Sequence, residues 1–269
     1  DIISWLQKNL EKYLYVFLNM IKIVLIGSGK LAFNFQKIFS RCSEINLIQW
    51  YSRKINLIKS FENETSITDS ILELKSADIY IIAVSDDAIA HISKKIKTTA
   101  LVVHCSGGVS MDEMRCEARK GVLYPLQTFS KKLLTQFNNL PILIEAEKKE
   151  DFKLLQDLVH NIGGKPFAMN SQKRSYVHLI AVIINNFGNH LIEIGENIAK
   201  SHDLPFSIFH SLLEQTYKNG IENGAKYSQT GPAKRKDFKT INKHLDLISN
   251  EKIKQLYLDL TNSIQRRHD

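Results

Sequence analysis

The chain has little cysteine, with only Cys42, Cys105 and Cys116 among its 269 residues. Three widely spaced cysteines are too few for a disulfide framework, and no Cys-x-x-Cys pair is present to suggest a zinc site. We therefore predict no disulfide scaffold and no metal, and we expect the reducing setting of the cytoplasm.

Dense basic runs with interleaved aromatic residues are also missing, although the formal net charge is +8. That absence argues against a nucleic-acid partner, because nucleic-acid-binding proteins concentrate their cations in patches. We interpret the positive charge as a result of AT-rich coding DNA, because isoleucine and asparagine are abundant along with lysine. A hydrophobic content of 43% is ample for a packed core, and the length allows one large domain or two modest ones.

The first nineteen residues lack the features of a leader or a membrane anchor. Residues 2–18 form an amphipathic pattern that is interrupted by Lys8, Glu11 and Lys12, so they do not suit a membrane span. They also lack the basic start and small-residue cleavage site of a signal peptide. We interpret residues 1–19 as an N-terminal extension, either read through from upstream or forming an extra docking helix.

A glycine turn near the start is the most informative feature present. Four apolar residues from Ile23 onward lead into Gly-x-Gly-x-x-Ala at 27–32, and an amphipathic pattern follows. This order of strand, glycine turn and helix is what a dinucleotide site needs. Gly27 permits the tight turn, Gly29 lets a pyrophosphate approach the backbone, and Ala32 allows close helix packing. The alternative is a glycine turn that joins a strand to a helix with no ligand.

The end of the next strand favours NADP over NAD. Residues 45–51 predict a strand that ends in Ser52-Arg53-Lys54, and no acid lies between Ile45 and Phe61. NAD sites usually carry an acid here to bind the ribose hydroxyls, whereas arginine binds a phosphate through paired hydrogen bonds. The alternative is that Arg53 and Lys54 are ordinary solvated loop residues.

The pattern along the chain changes near Ser171. From Met20 to Asn170, short apolar runs alternate with helical patterns, as a parallel sheet requires. After Ser171 the pattern is helical throughout, and it begins with a long helix from about Gln172 to His202. We predict an α/β fold: a Rossmann-type parallel sheet domain at 20–170 followed by an all-helical domain at 171–269. Strands are predicted at 45–51, 78–85, 100–105, 121–124, 141–145 and 165–168, and Asp86 or Asp87 is expected to cap a helix that begins near Ala88.

The long predicted helix carries a polar stripe. At 100° per residue, Arg174, His178, Asn185 and Asn189 fall within an arc of roughly 60°. No Lys, Arg, Asp or Glu occurs from Ser175 to Ile192, so the face suits a partly dry cleft. Three asparagines and two histidines inside the stretch argue against a membrane span. His178 could donate a proton during hydride transfer and Asn185 could hold the same group, but a buried network or a dimer seam would give the same pattern.

Two further clusters are candidates for substrate contact. His104 and Ser106 follow a predicted strand, where ligands gather in open parallel sheets, and Gln127 lies in a segment that could cover the same cleft. Arg235 follows a Gly-Pro turn and could face an anionic group, while Asp237 could cap the next helix. In each case the alternative is a structural or solvated residue.

Together these motifs resemble a bacterial family of Rossmann-like proteins provisionally assigned as NADP oxidoreductases, whose helical C-terminal half is a domain of unknown function. The resemblance covers nearly everything from Met20 onward and rests on IGSGKLA (26–32), AVSDDAI (83–89), HCSG (104–107), YPLQTFS (124–130), NNF with NH (185–190) and QTGPA (229–233). The architecture is more distantly similar to pyrroline-5-carboxylate reductase, prephenate dehydrogenase and ketopantoate reductase. These relatives imply hydride transfer in a cleft between two domains, and a homodimer that forms through the helical domain.

The resulting hypothesis is an NADP-dependent oxidoreductase that acts on a small, anionic metabolite. The expected catalytic residues are His178 or His104 with Asn185, and substrate contacts are expected from Ser106, Gln127, Asn189 and Arg235. The expected cofactor contacts are Gly27, Ser28, Gly29, Lys30 and Leu31 at the pyrophosphate, Ser52 and Arg53 at the 2′-phosphate, and Val84 and Ser85 near the ribose. The alternative is a non-catalytic NADP-binding regulatory or scaffold protein. A methyltransferase is disfavoured, because such a site would require an acid after the second strand, and none is present there.

Overall fold

The computed structural model describes residues 20–268. The prediction for residues 1–19 lies outside the described residues. The chain divides into two compact units, one ending at Gly188 and the other beginning at Asn189. The division therefore lies inside the long helical stretch, whereas the change of sequence pattern is at Ser171.

The first unit is built on an eight-stranded sheet, which confirms the predicted α/β class. Its strands are β1 Ile21–Ile26, β2 Ile45–Tyr51, β3 Ser66–Thr68, β4 Ile79–Ile82, β5 Leu101–His104, β6 Arg119–Pro125, β7 Pro141–Ala146 and β8 Lys165–Ala168. Their spatial order is β3-β2-β1-β4-β5-β6-β7-β8. Starting from β1, the chain first adds β2 and β3 on one side and then adds β4 and the later strands on the other side. In open α/β sheets such a switch point creates a crevice at the carboxyl ends of the strands.

The sheet departs from the prediction at one edge. Strand β7 pairs antiparallel with β6, while the remaining pairs are parallel. The apolar run at 141–145 correctly predicted a strand, but such a run carries no information about direction. The short edge strand β3 was not predicted.

Helices cover both faces of this sheet. Helices α1 (Lys30–Phe39), α2 (Asp86–Ser93) and α3 (Lys149–Asn161) belong to the first unit, and α4 (Ser171–Ala181) continues into a π-helical turn at Val182–Phe187. Alternate residues of β1 enter different clusters: Ile23 and Leu25 pack with α1 and α3, whereas Val24 and Ile26 pack with α2. The sheet is thus buried on both sides, which explains its continuous apolar strands.

The described residues after β8 form helices, as predicted. The second unit contains α5 (Gly188–Ser201), α6 (His210–Asn223), α7 (Ala225–Ser228), α8 (Phe238–Leu247) and α9 (Glu251–His268). The first residue of α5, Gly188, still belongs to the first unit. The stretch Ser171–Ser201 has a mean hydropathy of 1.2 and could cross a membrane by length and composition alone. Core helices of soluble proteins pass the same test, so this feature is weak evidence for a membrane span.

Candidate functional site

The turn after β1 is fixed by its glycine. Gly27 has φ of +122°, and a Cβ built on it would lie 2.1 Å from the carbonyl oxygen of Ala83. The Gly27 N–H donates to the Tyr51 carbonyl at 2.9 Å, and Trp50 Nε1 donates to the Gly27 carbonyl at 2.6 Å. Only glycine fits here, and β2 holds the turn against the sheet.

Helix α1 begins at an open edge of the backbone, by which we mean that the space a side chain at Gly29 would occupy is almost empty. Gly29 is its N-cap, and a Cβ built on Gly29 would meet only the Ala83 oxygen, at 4.0 Å. The first turn of α1 contains no acid, so its unpaired N–H groups and its dipole favour an anion. Ala32 is fully buried beneath this turn. Packing therefore does not require glycine at position 29, but the close approach of a phosphate would.

A cavity of about 420 Å³ lies against this edge, at the carboxyl ends of β1, β2, β4 and β5. Every residue that we predicted to contact the cofactor lines it, together with Ser106. The lining is Gly27–Leu31, Tyr51–Lys54, Ala83–Asp86, Ala88, Ile92, Cys105 and Ser106. The structure thus brings the predicted dinucleotide residues together in one place.

One end of this cavity carries two cations. The Ser52 hydroxyl is buried; it donates to Ser28 Oγ at 2.9 Å and accepts the Lys54 N–H at 3.1 Å. Arg53 and Lys54 are exposed and form no ion pair with any residue between 20 and 268. Their positive charges are therefore available to an anionic ligand.

The opposite side of the cavity is formed by the start of α2. This helix begins at Asp86, two residues before the predicted start, and Ser85 rather than an aspartate occupies the N-cap. The predicted aspartate cap is therefore wrong, and both acids lie in the first turn. Asp86 lines the cavity, whereas Asp87 does not.

His104 supports the site rather than lining it, which corrects our prediction that it reaches the cleft. Its side chain is fully buried, and its Nδ1 accepts the Ser106 N–H at 3.1 Å. Burial, reinforced by the positive charge of Arg174, lowers the pKa of His104 to about 4. A neutral, buried imidazole cannot supply a proton to a substrate near neutral pH, so the structure favours His178 for that role.

His178 pairs with a tyrosine that sequence reasoning missed. Tyr124 Oη lies 3.1 Å from His178 Nδ1, and a Cβ on Gly107 would stand 2.5 Å from the same nitrogen. Burial, followed by the negative charge of Asp86, raises the pKa of Tyr124, while Arg174 opposes the shift. The phenol therefore stays protonated near neutral pH. Its oxygen donates to Nδ1 when that nitrogen is bare and accepts from it when the imidazole carries a proton there.

A second cavity of about 590 Å³ adjoins this pair. Its lining comprises Tyr124, Leu126–Thr128, Val177, His178, Ile180–Val182 and Ile184–Asn186, with no Lys, Arg, Asp or Glu. The predicted residue Asn185 lies in the π-helical turn and donates to Thr128 Oγ1 at 2.9 Å, and Gln127 also lines the cavity. Single π-helical turns occur frequently at functional sites.

Arg174 is not part of the polar stripe that the sequence predicted. It is fully buried and forms an ion pair with Glu145, and its Nη2 donates to the Val109 carbonyl at 2.6 Å and to Ser171 Oγ at 3.0 Å. These contacts join the start of α4 to the end of β7 and to the loop after β5. Arg174 therefore positions the helix that carries His178.

Asn189 and Arg235 lie in the second unit, where both are exposed. Their roles as substrate contacts stay predictions. Asp237 caps α8 as expected, because its Oδ1 accepts the Thr240 N–H at 3.0 Å. Within residues 20–268, no group of three or more His, Cys, Asp or Glu side chains is arranged to hold a metal.

Known proteins confirm the resemblance drawn from the motifs. Residues 140–264 match the family model of a domain of unknown function, DUF2520. The provisionally assigned NADP oxidoreductase BF3122 from Bacteroides fragilis is 32% identical, with a TM-score of 0.86 over 92% of this chain and 99% of that one. No curated protein matches the sequence.

Two more distant structures share the fold. Pyrroline carboxylate reductase from Plasmodium falciparum, solved with NADP bound, is 16% identical, with a TM-score of 0.55 over 93% of this chain and 99% of that one. Prephenate dehydrogenase from Aquifex aeolicus, solved with NAD+ and hydroxyphenyl propionate, is 15% identical, with a TM-score of 0.53 over 93% and 85%. The identity to BF3122 over almost the whole chain shows that this protein belongs to the Rossmann-type oxidoreductase family represented by BF3122.

Proposed function

We propose that the protein is an NADP-dependent oxidoreductase that transfers a hydride to or from a small metabolite. The observation that carries the proposal is the open edge of Gly29 at the start of α1, which faces a cavity with unpaired cations at one end. The assignment of BF3122 and the NADP bound to the Plasmodium reductase support the same cofactor.

The residues that line the first cavity fit this cofactor. The backbone from Gly27 to Leu31 would hold the pyrophosphate, Ser52 and Arg53 the 2′-phosphate, and Val84 and Ser85 the adjoining ribose. When bound, NADP supplies or accepts the hydride. His178 would donate or accept the accompanying proton, and Asn185 would orient the substrate beside it.

The substrate is proposed to be a small molecule with an anionic group. The second cavity supplies neutral hydrogen-bonding groups and no cation, so an anionic group would need a cation outside its lining. Arg235 is the residue that the sequence predicts to bind an anionic substrate group. A screen of carbonyl and imine metabolites that follows NADPH consumption tests for the reaction, and NADPH binding without any turnover would favour a regulatory or scaffold protein.

Binding calorimetry with NADPH and NADH tests the cofactor choice. We expect NADPH to bind about tenfold more tightly, because a hydrogen bond to a charged group contributes about 1.5 kcal/mol or more. Arg53→Ala should remove most of that preference and leave NADH binding unchanged. Arg41→Ala, a change at an exposed arginine outside the cavity, is the matched control. Equal affinity of the unaltered protein for both nucleotides would contradict the proposal.

We also propose a homodimer that forms through the second unit. Large apolar side chains are exposed there: Leu191, Ile198, Leu204, Ile208, Leu212, Tyr217, Ile221, Tyr227, Phe238, Leu247 and Leu260. A monomeric soluble protein rarely exposes so many, and a second copy of the same surface would cover them.

Leu212→Glu in α6 should weaken this dimer by at least about tenfold, because burying an unpaired carboxylate in an apolar interface costs more than the roughly 1.4 kcal/mol that corresponds to tenfold. Sedimentation equilibrium would report the change as a shift from twice the chain mass of 30.8 kDa toward that mass. Leu72→Glu, at a leucine that is 86% exposed in the first unit, is the control. A monomer at all concentrations of the unaltered protein would refute the proposal.

A further inference from the structure

Asp86 presents an unpaired carboxylate to a cavity that we propose for an anionic cofactor. Asp86 lines the cavity, and its solvent-exposed side chain forms no hydrogen bond or ion pair with any other described residue. A carboxylate close to phosphates is unfavourable, so its place in the cavity needs a different explanation. The dipole at the start of α2 stabilises the charge, but it applies equally to Asp87, which lies outside the lining.

A dinucleotide bound in this cavity would place its nicotinamide half near Asp86. A dinucleotide lies across the crevice at the switch point of the sheet, which here is between β1 and β4. Arg53 is at the β2 side, where the 2′-phosphate and adenosine would bind. The nicotinamide half would then extend over the ends of β4 and β5, where Asp86 and Ser106 line the cavity.

Asp86 and His178 flank the same glycine in that region. A Cβ built on Gly108 would lie 3.7 Å from Asp86 Oδ2 and 3.6 Å from His178 Cδ2. The charge of Asp86 also contributes to the raised pKa of Tyr124, the partner of His178. The Asp86 carboxylate and the His178 imidazole, the proposed proton donor, therefore both lie close to Gly108.

We propose that Asp86 stabilises the positive charge that the nicotinamide ring acquires on oxidation, and so sets the protein to work as a reductase. This inference rests on the proposed function. In that reaction a hydride, with its two electrons, leaves NADPH for the carbon of a C=O or C=N group, and His178 gives the proton to the oxygen or nitrogen. The ring changes from neutral to positive, which the neighbouring carboxylate favours.

The expected signature is a preference for the oxidised cofactor. If NADP+ binds more tightly than NADPH, the midpoint potential of the bound couple falls and bound NADPH becomes a stronger hydride donor. Removal of the Asp86 charge should change the ratio of the NADP+ and NADPH dissociation constants about fivefold, because solvent partly screens the interaction between the carboxylate and the ring. For a two-electron couple, a fivefold change corresponds to about 20 mV.

The test compares Asp86→Asn with Asp87→Asn, which remove the same charge from the same helical turn. Calorimetry with NADP+ and with NADPH gives both dissociation constants for each variant. We expect Asp86→Asn to raise the ratio of the NADP+ constant to the NADPH constant about fivefold, and Asp87→Asn to change it less than about twofold.

Three outcomes would overturn the inference. An unchanged ratio in Asp86→Asn would show that the carboxylate does not act on the nicotinamide. Equal changes in both variants would show only a general effect of net charge. If the unaltered protein bound neither nucleotide, the proposed function would fail first, whereas tight binding with an unchanged ratio would overturn this inference alone.

Discussion

Gly29→Ala should weaken NADPH binding by about 100-fold without destabilising the protein, whereas Gly27→Ala should unfold much of it. The two glycines are two residues apart, but a side chain would meet different surroundings at each. At Gly29 the new methyl group would enter the cavity, where only the Ala83 oxygen lies within 4.0 Å. It would then occupy the space that a pyrophosphate needs next to the first turn of α1.

At Gly27 the added Cβ would overlap the Ala83 carbonyl, and the backbone would keep a φ of +122° that other residues rarely adopt. Overlap and strain together should lower the free energy of unfolding by about 3–5 kcal/mol. Urea unfolding measures this loss for both variants, and calorimetry measures NADPH binding.

The contrast between the two variants is the informative result. If Gly29→Ala bound NADPH normally, the cavity beside α1 would not hold the pyrophosphate, and the proposed function would lose its main support. If Gly27→Ala were as stable as the unaltered protein, the turn would have to relax away from β4 at little cost.

Local features of this fold were predictable because they depend on neighbours in sequence. The strand, the glycine turn and α1 follow one another within about twenty residues, and each uses a local rule of backbone geometry or periodicity. The capping role of Asp237 was predictable for the same reason. The direction of β7 was not, because pairing with β6 depends on how the connection at 126–140 crosses the sheet edge.

The candidate site was predictable only in part, and His104 and Arg174 illustrate the limit. The sequence places His104 at a strand end and Arg174 on a helix, but it cannot say which side chains become buried. Arg174 forms its ion pair with Glu145, which is 29 positions away, and Tyr124 forms its hydrogen bond with His178, which is 54 positions away. Such pairs have no local sequence signal, because the two partners are far apart along the chain.

The polar stripe assumed an ideal α-helix, and the structure keeps that geometry only as far as Ala181. The arc from Arg174 to Asn189 assumed 100° per residue throughout, but the chain passes through a π-helical turn at Val182–Phe187. A π-helical turn accommodates an extra residue, so side chains beyond it are rotated relative to those before it. His178 precedes the turn and Asn185 lies within it, and both line the second cavity.

His178→Phe should lower kcat by about 100- to 1,000-fold on a substrate identified by NADPH consumption, with NADPH binding unchanged. General acid catalysis contributes about this much when the group that moves the proton is removed. Phenylalanine keeps a ring in contact with Gly107 but cannot transfer a proton. Full turnover by this variant would exclude His178 as the acid or base.

Tyr124→Phe provides the companion test, because it removes only the hydroxyl that is hydrogen-bonded to His178 Nδ1 at 3.1 Å. We expect a loss of about tenfold in kcat, since the hydrogen bond that orients the imidazole would be lost. The direction of the pH dependence follows from the raised pKa of Tyr124. The phenol remains protonated up to alkaline pH, so the contribution of this hydrogen bond should be constant near neutrality and change only as the solution becomes strongly alkaline.

A pH profile of kcat therefore separates the two roles. In the unaltered protein the change in kcat that follows ionisation of Tyr124 should occur at a pH above the ordinary tyrosine range, and in Tyr124→Phe it should be absent. If Tyr124→Phe lowered kcat as far as His178→Phe, the phenol itself would be the proton donor, and the imidazole would only orient it. If neither substitution changed kcat, hydride transfer would take place away from this pair, and the second cavity would have to be reassigned.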